Sequence, residues 1–223
     1  MANNSKAVNK NKPPGSIRQR NMRKIIEAAE IEFARHGYKA TSIQNIAERA
    51  NLPKANIHYY FSSKLELYNR ILSNILKLWD AALNDMKPED DPATALSGYV
   101  RAKIDFSRRY PLASRIFALE LMTGGENLRE YYQQGYVEWF TDRCRVFQSW
   151  IDQGKMAAIA PAHLIFLLWS STQHYADFGY QVTAALGMEE DSLREEDFDE
   201  AADTLTQIIL RGCGLEPPMP QCR

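Results

Sequence analysis

The chain holds 223 residues, 45% of them hydrophobic and 25% charged, which excludes a disordered or fibrous protein and leaves room for one large domain or two small ones. No window offers the roughly 18 uncharged apolar residues of a membrane span, and the opening MANNSKAVNKNKPPG lacks a signal peptide's apolar run, so a cytoplasmic protein is expected. The net charge of −1 conceals a split: residues 1–64 carry 12 Lys/Arg against 4 Glu, whereas the remainder carries 15 against 24 acids, so only one end suits a polyanion. Residues 1–15, polar and ending in PPG, read as a disordered tail. A helical period begins at Ser16, with Ile25, Ala28, Ala29, Phe33 and Ala34 on one stripe, and stops at His36-Gly37, where Gly37 is the expected left-handed residue. Thr41 with Gln44 offers a capping box for a short helix, about 42–50, presenting Ile43, Ile46, Ala47 and Ala50 on one face. Asn51 tolerates positive φ and makes the next turn, and Pro53 opens a third helix, about 53–61. Ser63 with Glu66 caps a long fourth helix, about 64–86.

Beyond Pro92 the expected helices are 92–109, 111–123, 126–154, 161–187 and 192–213, with Pro111 and Pro161 in first turns and Gly154 and Gly187 at ends. There is no alternating strand pattern and no repeat of 20–50 residues. The predicted architecture is all-α. A three-helix, helix-turn-helix DNA-binding domain over 16–62 joins a larger helical ligand-binding and dimerisation domain over 63–213, and 214–223 is a frayed tail. Cys144, Cys213 and Cys222 form no CxxC and are expected to be reduced. GxSxG, HExxH and a phosphate-cradling glycine loop are all missing, so no catalytic centre and no cofactor are expected.

The stretch NLPKANIHYYFSSK, 51–64, is the most informative. A helix laid in a major groove offers its first turn and one face to base edges while its neighbours hold phosphates. Lys54, Asn56 and His58 are groups that reach bases, and Ala55 allows close approach. Ile57 and Phe61, four apart, anchor the helix on its own domain. Tyr59 and Tyr60 divide between packing and a phosphate contact, and Lys64, Thr41 and Ser42 sit at helix starts where phosphates bind. A solvated basic face explains the charge alone equally well. An aromatic core helix does not explain Tyr59, Tyr60 and Phe61 in a row, because they cannot all face one side.

IAERANLPKANIHYYFSSKLELY, preceded by AAEIEFARHGYKATSI, resembles the DNA-binding domain of TetR-family transcriptional regulators over about residues 18–70. Asn51 and Pro53 stand where that family usually has Gly and Ser, and both fit the same turn. The resemblance implies a homodimer on a two-fold symmetric double-stranded operator, with recognition helices about one DNA turn, roughly 34–36 Å, or a multiple of it apart. It also implies a small-molecule effector that prefers one of two states and so alters DNA affinity. The dimer contact it implies uses the helices 161–187 and 192–213.

SRRYPLASRIFALELMTGG (107–125) and DQGKMAAIAPAHLIFLLWSSTQHYADFGYQV (152–182) extend the likeness, over about 18–212, to pyrimidine-responsive members of the family. By that resemblance the effector is uracil, thymine or a related metabolite, and the regulated genes concern nucleobase or nitrogen metabolism. Within 161–187, Trp169, Gln173, Ala176 or Asp177, and Tyr180 share a face at helical spacing. Gln173 offers the donor and acceptor that an imide or lactam edge presents in reverse. Trp79, with Ser107 or Tyr110 near the 109–111 break, are candidate walls opposite. His174 and Asp177 read either as ligand contacts or as a satisfied polar pair at a helix or subunit interface. As metal ligands they lack a third partner, with His36, His58 and His163 scattered.

Overall fold

The computed structural model describes residues 14–188 and 192–216, which contain helices and no strand. Two compact units divide between Tyr68 and Asn69. Most of both expected tails, and Cys222, lie outside the described residues. Pro14 and Gly15, assigned to the first tail, belong instead to α1 (Pro14–Ala40), where Pro14 occupies a first-turn position that needs no N–H donor.

In the N-terminal unit, α1 buries Ile25, Ala28, Ala29, Phe33 and Ala34, each 4% exposed or less. The helix kinks at Gly37, whose φ of 70° and ψ of 173° lie in a region open essentially to glycine, not in the left-handed helical well expected for it. A Cβ there meets no neighbour, so only the backbone resists substitution. Gly37→Ala is expected to cost about 1–3 kcal/mol, read as a lower denaturant midpoint at unchanged slope.

α2 (Ile43–Ala50) is capped by Ser42, whose hydroxyl accepts from the Asn45 N–H at 3.1 Å. The expected Thr41–Gln44 box does not form: the Gln44 amide donates to Glu48, and Thr41 turns inward. Asn51, with φ 51° and ψ 49°, ends α2 in the left-handed conformation. Its N–H reaches the Glu48 carbonyl, and the Leu52 N–H reaches that of Ala47, a Schellman closure. α3 (Lys54–Tyr60) follows Pro53 directly and buries Ile57. Arg49 Nε donates to the buried Glu32 carboxylate at 2.5 Å, tying α2 to α1.

α4 (Lys64–Asn84) begins in the first unit, where Ser63 accepts from the Glu66 N–H and Glu66 reaches back one residue further, to Ser62. The second unit is built from the rest of α4 with α5 (Pro92–Arg109), α6 (Pro111–Met122), α7 (Arg129–Gln133), α8 (Tyr136–Asp152), α9 (Pro161–Asp177), α10 (Gly179–Ala185) and α11 (Glu195–Gly212). Two expected helices are broken. The run 126–154 divides at Gln134-Gly135, where Gly135 takes φ 77°, and 161–187 divides at Phe178, before a glycine that a helix interior disfavours by about 1 kcal/mol. The core gathers Leu96, Tyr99, Val100, Phe147, Trp150, Ile165, Leu168 and Leu210, each 3% exposed or less. Each such side chain contributes about 1.5–3 kcal/mol of burial. No helix among the described residues is long and apolar enough to cross a membrane. Cys144 and Cys213 are free thiols, and burial pushes Cys213 up to about 11.

Candidate DNA interface and ligand cavity

α3 presents two faces. Ile57 and Phe61, 0% and 5% exposed, pin it to its own unit. Lys54, Ala55, His58 and Tyr59 are exposed, the last by 74%, whereas Asn56 and Tyr60 are half-buried and the two tyrosine rings meet edge-on at 5.1 Å. The spacings Lys54–His58 and Ala55–Tyr59 each span about one helical turn, so donors and a small residue share the open side. Ser42 is exposed at the start of α2.

Two residues expected at phosphates serve the unit itself. Thr41 is 3% exposed, and its hydroxyl donates to the carbonyls of Gly37 at 2.8 Å and Glu32 at 3.1 Å. Lys64 Nζ donates to the carbonyls of Tyr38 and Thr41, both at 2.8 Å, and lies 4.4 Å from the centre of the Tyr38 ring. These charge-assisted bonds close the end of α1 after its kink.

The second unit encloses a cavity of about 150 Å³. A dry apolar cavity of about that size holds one benzene ring. Trp79, Phe117, Tyr131, Tyr132, Tyr136, Trp139 and Trp169 wall it, and its other polar groups are Asp80, Lys103 and Gln173. Trp79 meets Phe117 edge-on at 4.7 Å, and Trp169 Nε1 donates to the Tyr99 hydroxyl at 2.9 Å, which fixes both indoles. Tyr131 donates its hydroxyl proton to Asp80 Oδ2 at 2.8 Å. Burial raises the Asp80 carboxyl above its usual range, against the Tyr131 hydrogen bond and the charge of Lys103. Lys103 is 2% exposed, with Nζ 4.2 Å from the centre of the Trp79 ring. Burial pushes its ammonium down to about 7, while Asp177 and Asp80 pull the other way.

Of the expected ligand contacts, Trp79, Trp169 and Gln173 meet at this cavity. The other four do not line it. Ser107 is buried and donates to the Thr172 carbonyl at 2.8 Å, joining α5 to α9. Tyr110 is 45% exposed. His174 stacks on Phe178 at 5.1 Å, and Asp177 accepts from the Ser114 hydroxyl at 2.6 Å; no hydrogen bond joins the two among the described residues.

Sequence reasoning missed Asp80, Lys103 and the tyrosines. Lys103 carried a signal: it falls on the apolar stripe Leu96, Tyr99, Val100, Ile104 of α5, where a lysine has no reason to be buried unless it is used.

Residues 25–71 match the family described as bacterial regulatory proteins, tetR family, and residues 72–216 match the YcdC-like protein, C-terminal region. The HTH-type transcriptional regulator RutR of Escherichia coli K12 is 38% identical over 189 residues, covering 84% of this chain and 88% of its own. Among solved structures, the TetR family regulator PfmR of Thermus thermophilus superposes with a TM-score of 0.63 at 24% identity, covering 85% of this chain and 97% of that one. AibR, solved in complex with isovaleryl coenzyme A and operator DNA, gives 0.64 at 20% identity, covering 89% and 100%. An exposed recognition helix, an enclosed ring-sized cavity and these matches lead to one assignment: the chain belongs to the TetR family of bacterial transcriptional regulators.

Proposed function

We propose that this regulator is a homodimeric repressor of nucleobase or nitrogen metabolism genes, released from its two-fold operator by a planar six-membered cyclic imide such as uracil or thymine. The observation that carries the effector reading is the cavity. It is the size of one ring, walled by aromatic faces that suit a flat molecule, and it holds one amide, one carboxylate and one ammonium. A mostly apolar pocket with a few convergent polar groups is the usual form of a small-molecule site. The resemblance to pyrimidine-responsive regulators points the same way.

One helix, α4, supplies Lys64 to the first unit and Trp79 and Asp80 to the cavity, so a ligand there touches an element shared with the DNA-binding unit. Phe166 and Leu167 of α9 and Ile208 of α11, 48%, 50% and 60% exposed, are the apolar groups that a second subunit covers.

Calorimetry with uracil, thymine and their reduced forms is expected to show binding, and the bound form is expected to release a duplex taken from the gene's own upstream region. Ligand-insensitive protein would remove the imide assignment and leave the DNA assignment standing. Affinity for the duplex is expected to fall steeply with salt. Tyr59→Phe, which removes the exposed hydroxyl offered to a phosphate, is expected to weaken all duplexes alike, whereas Asn56→Ala relaxes preference at one base position by about 1–3 kcal/mol. Identical sequence profiles for the two variants would show these contact roles to be wrong.

A further inference from the structure

Lys103 has three donors, and no acceptor for them is seen among the described residues. Its Nζ makes no hydrogen bond and no close ion pair among the described residues, and its one close polar-type contact is the face of Trp79. The acids that share its surroundings are engaged elsewhere: Asp177 with Ser114, and one oxygen of Asp80 with Tyr131. A buried polar group without a partner costs free energy, most of all when charged, and it persists where it has a use. Both Lys103 and Asp80 line the ring-sized cavity. They come from different helices, α5 and α4, so the cavity offers a strong donor beside an acceptor, a pattern complementary to a ring C=O next to a ring N–H.

Resting on the imide reading above, we infer that Lys103 is the specificity-determining residue of the cavity, donating to a ring carbonyl oxygen while Asp80 accepts from the neighbouring ring N–H. The cavity therefore selects neutral cyclic imides and ureides over aromatic rings of equal size that lack the C=O/N–H pair. Gln173 then reads a second edge of the same ring, and the aromatic walls contribute shape without choosing among rings.

The test is a cycle between ligand and protein, using the full-length chain. Uracil, 2-thiouracil and 4-thiouracil are titrated calorimetrically into wild type and Lys103→Met, since sulfur keeps the ring and weakens the acceptor. A hydrogen bond to a charged donor corresponds to roughly ten- to hundredfold in affinity. One of the two thio-substitutions is expected to weaken wild-type binding by about that factor and to have little effect on Lys103→Met, which itself binds uracil correspondingly worse. Lys103→Gln, which keeps a neutral donor, is expected to retain part of the coupling and serves if the Met variant does not fold. Equal thio-penalties in wild type and variants, or uracil binding unchanged in Lys103→Met, would overturn the inference while leaving the imide effector intact. Wild-type protein that binds none of the rings would overturn the effector reading itself.

Discussion

Lys103→Met is expected to make the ligand-free protein more stable at neutral pH even as it weakens effector binding, because the burial of the ammonium outweighs the pull of Asp177 and Asp80. Methionine fills much of the same space without an ammonium, so the variant loses a desolvated charge that Asp177 and Asp80 offset only in part. For a chain of this size each kcal/mol moves the thermal midpoint by roughly 2–4 °C, which differential scanning fluorimetry resolves.

The pH dependence carries the signature. Lys103 titrates near 7 in the folded protein instead of near its ordinary 10.5. Below about 7 both folded and unfolded chains hold the proton, and the penalty is present in full. Between about 7 and 10.5 the unfolded chain binds a proton that the folded one does not, so wild-type stability rises with pH, by at most about 1.4 kcal/mol per unit. The advantage of Lys103→Met should therefore shrink as pH rises from 7 towards 10. Asp80 and Asp177 face the ammonium from α4 and α9, and burial raises both carboxyls above their ordinary range. Midpoints that run parallel from pH 7 to 10, or a variant less stable throughout, would contradict this account.

The second large effect is expected at Arg49→Ala. Glu32 is 5% exposed, and its carboxylate has Arg49 Nε at 2.5 Å, with His36 Nε2 at 3.9 Å. Removing the arginine strands a buried charge, which typically costs 3–5 kcal/mol, and the lower end applies because Arg49 is itself one-third exposed. In so small a unit that loss is expected to loosen the α1–α2 corner, and operator binding should fail at temperatures where the second unit stays folded. Adding Glu32→Gln is expected to restore part of the stability, because the stranded group then carries no charge. An Arg49→Ala protein within about 0.5 kcal/mol of wild type would show the pair to be ornamental to the fold.

What was legible in the sequence was local. Asn51, Pro92, Pro111, Pro161, Gly154 and Gly187 each restrict the backbone strongly enough to punctuate helices without help from tertiary structure. Ile57 and Phe61 declared the inward side of α3 by their spacing, and the open side followed. The breaks at Gly135 and Phe178 were harder. An apolar period runs on through both, and whether a glycine interrupts a helix depends on the helices packed around it. Hydroxyls and charges were harder again. Thr41 and Ser107 sit near helix ends, where the same hydroxyl serves a ligand or a backbone carbonyl, and only the fold decides. Lys64 had the composition of a phosphate contact and the geometry of a strut. Reading 126–154 as one helix removed Tyr131 and Tyr132 from consideration, because the turn at Gly135 is what places α7 and the start of α8 on the cavity.

The chain has four tryptophans. Trp79, Trp139 and Trp169 border the cavity, and Trp150 is sealed in the core. None belongs to the operator-binding unit. Intrinsic indole emission is thus a label-free gauge of the second unit, and a titration followed at one wavelength reports filling of the chamber without a probe attached to either partner.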